Sequence, residues 1–138
     1  MRLVARFTIP GEPVAQERPR LTGCGRRCIV YDQPKSRHYK QAVAACAKAA
    51  MRGREPSVGA VLVSVVSYRR SLRRFTAAQR MNPEGVRPST RPDVDNYAKA
   101  VLDGMNGICY RDDGQVFFLG CRKAYSDDPR TEVEVWEE

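Results

Sequence analysis

One stretch of this chain, from Val94 to Met105, has apolar residues at the spacing of an amphipathic helix, and it constrains the fold more than any other. Pro92 precedes it, Asp93 is a favourable N-cap residue, and Asn106-Gly107 is a common helix end. These signals predict a helix that begins after Asp93 and ends at Asn106. Its buried stripe, at positions i, i+3, i+4, i+7, i+8 and i+11, consists of Val94, Tyr97, Ala98, Val101, Leu102 and Met105.

Carboxylates stand on both sides of this predicted helix. Asp93 and Asp95 lie at its start, and Asp112 and Asp113 follow its end after a short gap. The helix rises about 16 Å from Asp95 to its end, at about 1.5 Å per residue, and extended chain up to Asp113 covers about 20 Å. Asp113 can therefore return to the helix N-terminus and meet Asp93 and Asp95.

Such a group of carboxylates has a catalytic and a structural interpretation. Carboxylates held close together repel one another unless a cation lies among them, and oxygen ligands without paired Cys or His suit Mg²⁺ or Mn²⁺. That chemistry serves phosphoryl transfer, and Lys99, one helical turn after Asp95, can stabilise charge on a phosphate. The structural interpretation is an N-cap, a surface ladder of Asp95, Lys99 and Asp103, and an acidic turn. Spacing alone leaves both open.

The sequence RPDVDNYAKAVLDGMNG, followed by YRDDGQV, resembles the signature of the RusA family of Holliday junction resolvases. The family pattern is roughly D-x-D-N-x-x-K-A-x-x-D-x-L, a short gap, and then D-D-x-Q-V or D-D-x-Q-I. An I-P-G-x-P at Ile9 to Pro13 and an R-P-R at Arg18 to Arg20 are also similar to phage members. The resemblance covers most of the chain in order, and the middle section, Arg52 to Thr90, matches the family only loosely. The motif positions matched are Asp93, Asp95, Asn96, Lys99, Ala100, Asp103, Asp112, Asp113, Gln115 and Val116, with Met105 where the family often has Leu.

The resemblance implies a metal-dependent endonuclease. Asp93, Asp95 and Asp113 would ligate Mg²⁺, or Mn²⁺ in its place, and Lys99 would assist catalysis. Asp112 is the rival for the third ligand, but the family's ligand stands two residues before the Gln, as Asp113 does. A homodimer would nick a four-way DNA junction symmetrically in recombination and repair, with water as nucleophile, leaving 5′-phosphate and 3′-hydroxyl ends. The alternatives are a non-catalytic basic nucleic-acid-binding protein and a nuclease for other branched or single-stranded DNA.

The charge of the chain favours a polyanionic partner. Lys and Arg number 24 against 16 Asp and Glu, which gives a net charge of +8. The segment Arg69 to Arg91 holds seven arginines and a single acid, Glu84, and it leads directly to Asp93. We interpret this segment, called the arginine arm below, as a DNA contact, with a disordered linker as the alternative. The candidate DNA-binding residues are Arg18, Arg20, Arg69, Arg70, Arg73 and Arg74.

Other features of the sequence indicate where the protein is found and the state of its cysteines. No run approaches the about 18 apolar residues of a membrane span, and the N-terminus lacks a signal peptide's apolar core. A cytoplasmic protein associated with the nucleoid of a bacterial or phage-infected cell is therefore expected. The five cysteines indicate reduced thiols, and Cys24-x3-Cys28 is a poor zinc half-site because no second pair has ligand spacing. His38, the only histidine, is expected on the surface of a helix.

The predicted fold is α+β: a single RusA-like domain over residues 1–138, with one mixed sheet of about five strands and two main helices. The first main helix should run from about Ser36 to Arg52, and the second is the helix after Asp93. Val58 to Tyr68, apolar on both faces, indicates a central strand. Val116 to Tyr125 and Thr131 to Trp136 predict an antiparallel hairpin.

Overall fold

A four-stranded mixed sheet, covered on one face by two helices, forms the body of the protein. The computed structural model describes residues 1–18, 20–23 and 29–138, and the side chains of Arg20 and Thr22 lie outside the description. The elements are β1 (Arg2–Pro10), β2 (Arg20–Thr22), β3 (Ile29–Tyr31), α1 (Pro34–Met51), β4 (Val61–Arg70), α2 (Ala77–Met81), α3 (Val94–Met105), β5 (Val116–Ser126) and β6 (Arg130–Glu137). The predicted α+β class is confirmed, with α1 and α3 as the main helices.

The order of strands in the large sheet is β1-β6-β4-β5, and β2 and β3 form a separate two-stranded sheet. β4 is the central strand that its two apolar faces predict. β5 and β6, however, are not a hairpin: β4 lies between them, parallel to β5 and antiparallel to β6. The predicted pairing is wrong because a short connection also suffices to pass over the end of one intervening strand. Tyr68 of β4 thus pairs with Ala124 on one side and Arg130 on the other.

Because β4 and β5 are parallel, the chain between them must return along the sheet, and α3 makes that return. The N-terminus of α3 lies at the far end of β4 and β5, where Lys123 of β5 donates hydrogen bonds to the carbonyls of Thr90 (2.8 Å) and Pro92 (3.0 Å). Its C-terminus lies beside the beginning of β5, where Tyr110 forms an isolated bridge to Ser57. Asp93 and Asp113 therefore stand at opposite ends of one crossover.

The two main helices pack on each other and on the sheet, and their contact is unusually close at Gly104 of α3. A Cβ built on Gly104 would lie 2.7 Å from Val43 Cβ and 3.1 Å from the Lys40 carbonyl oxygen of α1. The absence of a side chain there lets α3 settle into the core. The fully buried side chains around this contact include Val43, Ala47, Val61, Val63, Val65, Ala100, Val101, Met105, Val133 and Val135.

The helix ends agree with the signals in the sequence at three of four points. Asp93 is the N-cap of α3 and Asn106 its C-cap, followed by Gly107 with φ +80°. α1 ends at Arg52 as expected, but it begins earlier than Ser36, with Pro34 in its first turn. Proline is favourable there because its missing N–H needs no partner in a first turn.

We predict that Gly104→Ala destabilises the protein, although alanine is the better helix former. Helix propensity alone favours alanine by about 1 kcal/mol. Overpacking against the rigid Val43 Cβ and the α1 backbone costs about 1–3 kcal/mol, so the net loss should be about 1 kcal/mol. Urea unfolding followed by circular dichroism measures the difference. A gain in stability would contradict the close contact between α1 and α3.

Candidate active site

The first turn of α3 presents two carboxylates that are not consumed by the fold. Asp93 is the N-cap, yet its side chain makes no capping hydrogen bond; the amides of Asn96 and Tyr97 bond to its backbone carbonyl instead, at 3.1 and 3.4 Å. Asp93 and Asp95 are both exposed, and within the residues described neither forms an ion pair. Both side chains are therefore available to a ligand.

A groove of about 770 Å³ runs beside α3 and opens on Asp93 and Lys99. The loop before β2 forms its opposite wall and is held to α3 by the Gln16 amide, which donates to the Asn96 carbonyl at 2.9 Å. Arg18, a predicted DNA-binding residue, is exposed on that wall. The charged residues of the lining are four acids, Glu17, Asp32, Asp93 and Asp103, and four bases, Arg18, Lys40, Arg91 and Lys99.

The floor of the groove is fixed by Lys40 of α1. Its ammonium bridges the carboxylates of Asp32 at 2.8 Å and Asp103 at 3.4 Å. The hydrogen bond from Lys40 lowers the pKa of Asp32. Asp103, the last member of the predicted ladder with Asp95 and Lys99, is thus held by another helix, while Lys99 remains exposed and makes no ion pair within the described part of the chain.

The acidic turn before β5 is held by Gln115. Its side-chain oxygen accepts hydrogen bonds from the amides of Arg111 (2.7 Å) and Asp112 (2.9 Å). Its amide nitrogen donates to the carbonyls of Ser57 (2.9 Å) and Gly59 (2.8 Å). Four bonds from one side chain therefore anchor the turn to the segment that leads into β4.

Within this turn, the two aspartates differ in their surroundings. The Asp112 carboxylate is exposed and accepts the Gly114 amide at 2.9 Å, so it caps the short 3-10 turn Asp113–Gln115. The Asp113 carboxylate is half-buried, and its Oδ1 has no hydrogen-bond partner among the described atoms. Asp113, the preferred third ligand, is the one with a buried oxygen left open, as a cation ligand requires.

The charges that act on Asp113 come from its own turn and from α3. Burial raises the pKa of Asp113, and the carboxylates of Asp103 and Asp112 raise it further, against the Tyr110 hydroxyl and Lys99, which lower it. The Asp95 charge acts on a different group: burial raises the pKa of the Cys121 thiol of β5, and Asp95 raises it further.

Asp113 thus interacts electrostatically with Asp103 and Lys99, and the described residues do not gather it with Asp93 and Asp95 into one group. Within residues 1–18, 20–23 and 29–138, no group of three Asp, Glu, His or Cys side chains is close enough to hold a metal ion. The predicted meeting of Asp113 with Asp93 and Asp95 required extended chain after α3. The chain instead turns back at once, and the Gly107 amide bonds to the Tyr110 carbonyl at 2.8 Å. The donor chemistry fits a hard divalent cation. The assignment of the three ligands remains a prediction.

The arginine arm is folded, not a disordered linker. α2 begins at Thr76, whose hydroxyl accepts the Gln79 amide (3.2 Å) while the Gln79 side chain accepts the Thr76 amide (2.9 Å), a reciprocal cap. Arg69 lies over the Tyr125 ring at 5.8 Å and is only half exposed, so it belongs to the interior as much as to the surface. The other predicted DNA contacts of the arm, Arg70, Arg73 and Arg74, are exposed.

Three positioning residues escaped the sequence analysis. Gln115 was matched as a motif letter without a role, and Lys40 and Lys123 carried no signal at all, because each acts on residues distant in the chain.

The side chain of Arg20, and Cys24 and Cys28, lie outside the described residues. His38 is exposed on α1, and Cys46, Cys109 and Cys121 are free thiols.

None of the described helices is long and apolar enough to cross a membrane.

Comparisons with known proteins agree with the motif in the sequence. The chain is 38% identical over 136 residues to the uncharacterized protein YqaN of Bacillus subtilis (strain 168), covering 96% of this chain and 95% of that protein. Residues 10–136 match the profile of the family described as Endodeoxyribonuclease RusA, a range that includes β2 to β5, the groove and the acidic turn. The chain therefore belongs to the RusA endodeoxyribonuclease family.

Proposed function

We propose that this protein is a divalent-metal-dependent endonuclease that resolves four-way DNA junctions. The observation that carries the proposal is the set of uncommitted carboxylates around α3 beside an exposed Lys99 and a basic arm, in a chain of the RusA family. A purely structural helix would have its N-cap carboxylate bonded to backbone amides, as Asp112 is in its own turn.

Asp93, Asp95 and Asp113 would hold the cation, with Mg²⁺ as the expected ion and Mn²⁺ as a substitute. When bound, the ion supplies the Lewis acid that polarises the scissile phosphate. Lys99 lies one helical turn after Asp95 on α3, and its positive charge would stabilise negative charge on the phosphate or the leaving oxygen. The exposed arginines of the arm bind the backbone on either side of the cut.

We further propose that the active form is a homodimer joined along the edge strand β5. Phe117, Phe118 and Leu119 follow one another on this edge and are 53, 54 and 39% exposed. An apolar edge strand is a template for another strand. Antiparallel pairing of two β5 strands about a two-fold axis would set the start of one β5, which carries Asp113, beside the far end of the other, where Asp93 and Asp95 lie. Each metal site would then take ligands from both subunits.

We predict that Asp95→Asn abolishes junction cleavage in Mg²⁺ while junction affinity stays within about twofold, because binding depends mainly on arginine contacts to phosphate. Lys99→Ala should lower cleavage by about 100-fold with affinity little changed. Cleavage gels with junction, duplex and single-stranded DNA, in Mg²⁺ and in EDTA, measure this. Asp127→Asn, an exposed acid outside the site, is the control. Undiminished cleavage by Asp95→Asn would show that the acidic helix is structural.

The shared site predicts complementation between two inactive variants. Asp95→Asn and Asp113→Asn should each fail to cut, whereas a mixture refolded together should regain roughly a quarter of wild-type activity, because mixed dimers contain one intact site. Phe118→Glu should yield a monomer in analytical ultracentrifugation and lose cleavage, while the equally exposed edge change Thr8→Glu on β1 should stay dimeric. Lack of complementation with wild-type dimerisation would show that each subunit builds its own site.

The exposed arginines of the arm should account for much of the salt dependence of binding. Replacing Arg70, Arg73 and Arg74 by Ala should reduce the slope of log K against log salt by about 2 to 3, since each phosphate contact releases about 0.9 counterion on duplex DNA. The charge-matched control replaces Arg6, Lys48 and Arg52, exposed residues of β1 and α1. If both triple variants change the slope equally, the arm is not a DNA contact.

A further inference from the structure

A second cavity, of about 320 Å³, lies within the arginine arm, apart from the groove along α3. Its floor is formed by Phe75 and Tyr125, which are 7 and 3% exposed and meet edge to face with ring centroids 5.1 Å apart. Leu72 and Val86 form half-buried apolar walls. The cavity is therefore small, aromatic at the bottom and firmly built, since β5 supplies part of the floor.

Polar groups are placed at the wall and the rim of this cavity. Gln79 lines the cavity and is half-buried; its side-chain oxygen accepts the Thr76 amide at 2.9 Å, and its amide nitrogen makes no hydrogen bond within the described residues. Exposed basic and hydroxyl side chains surround the opening: Arg74, Arg87, Ser89 and Thr90. The lining is therefore mostly polar, with a smaller apolar area formed by Leu72 and Val86 and positive charge at the opening.

We propose that this cavity, called the arm pocket, receives one unstacked nucleotide of the DNA, with its base inside and its phosphate against Arg74 and Arg87. A volume near the lower end of ligand pockets, about 300–1,000 Å³, suits a single nucleotide and excludes a duplex. The half-buried side chains of Leu72 and Val86 can contact a base, polar lining groups can bond to its edge, and arginines bind phosphate. The inference rests on the proposed function, whose DNA substrate it extends.

The position of the arm pocket relative to Asp93 makes this nucleotide a neighbour of the cut. Thr90 borders the pocket and Asp93 borders the groove, and three residues of extended chain span at most about 10 Å. Lys123 holds this connection by bonding to the carbonyls of Thr90 and Pro92. A nucleotide in the pocket therefore lies within a few nucleotides of the scissile phosphate. Unstacking costs least where stacking is already interrupted, as at the exchange point of a junction.

The test measures junction affinity in EDTA, with single abasic sites placed in turn at each nucleotide around the exchange point. For the wild type, one strand position should lose about tenfold in affinity when its base is removed. Val86→Phe, which fills the pocket, should weaken binding of the intact junction by a similar factor and make that abasic site harmless, since both changes remove one interaction.

Gln79→Glu supplies a second, milder variant that should fold even if Val86→Phe does not. Its carboxylate still accepts the Thr76 amide but offers no donor to a base, so the intact junction should lose several-fold in affinity and the abasic position should matter less. Asn82→Asp makes the same amide-to-acid change on the arm outside the pocket lining and should leave both values unchanged.

The inference is overturned if no abasic position weakens wild-type binding, or if the abasic and Val86→Phe effects multiply independently. Wild-type cleavage of the intact junction in Mg²⁺, measured in parallel, distinguishes failure of the arm pocket from failure of the proposed function. Junction cleavage without any abasic effect removes the arm pocket alone. Absence of both cleavage and junction preference over duplex removes the proposed function and the pocket with it.

Discussion

The close packing of α3 against α1 and the sheet is the constraint on which the functional surface depends. Gly104 allows the approach, because any side chain there would strike Val43 and the backbone of α1. Once α3 is seated, its apolar stripe is consumed by the core, and Asp95, Lys99 and Asp103 are left along its outer side. Side chains that must bind an ion and a phosphate need such rigid support, because small displacements of catalytic groups are costly in rate.

The parallel pairing of β4 and β5 places the acidic residues at two ends of one crossover. A parallel pair requires a crossover, so the helix that begins with Asp93 must end near the start of β5, where Gln115 anchors Asp113. Carboxylates separated in this way escape the repulsion that a preformed cluster would impose on folding. The homodimer proposed above would reunite them and would also supply two sites for the two strands of a junction.

Charge and shape are distributed unevenly around this frame. The groove beside α3 carries equal numbers of acids and bases, whereas nearly all the charged residues of the arm are arginines. The arm packs against β5 through Phe75 and Tyr125. In the proposed function, binding and catalysis belong to neighbouring but different surfaces: the arm would attract the DNA backbone, and the carboxylates of α3 would act on it. Because the arm ends directly at Asp93, DNA held by the arm would lie next to these carboxylates.

Local signals in the sequence were sufficient to predict the ends of α3, its buried stripe and the central place of β4, because each depends on residues close together in the chain. The motif letters around Asp93, Asp95, Lys99 and Asp113 also placed the chain in its family. Tertiary structure decided the rest. A strand chooses its neighbours by burial and pairing over long sequence distances, so nothing local showed that β4 separates β5 from β6. The same holds for the bonds of Gln115 to Ser57 and Gly59 and of Lys40 to Asp103, which join residues more than 50 positions apart. It also holds for the position of Asp113, which depends on the turn after α3 and not on the reach of an extended chain.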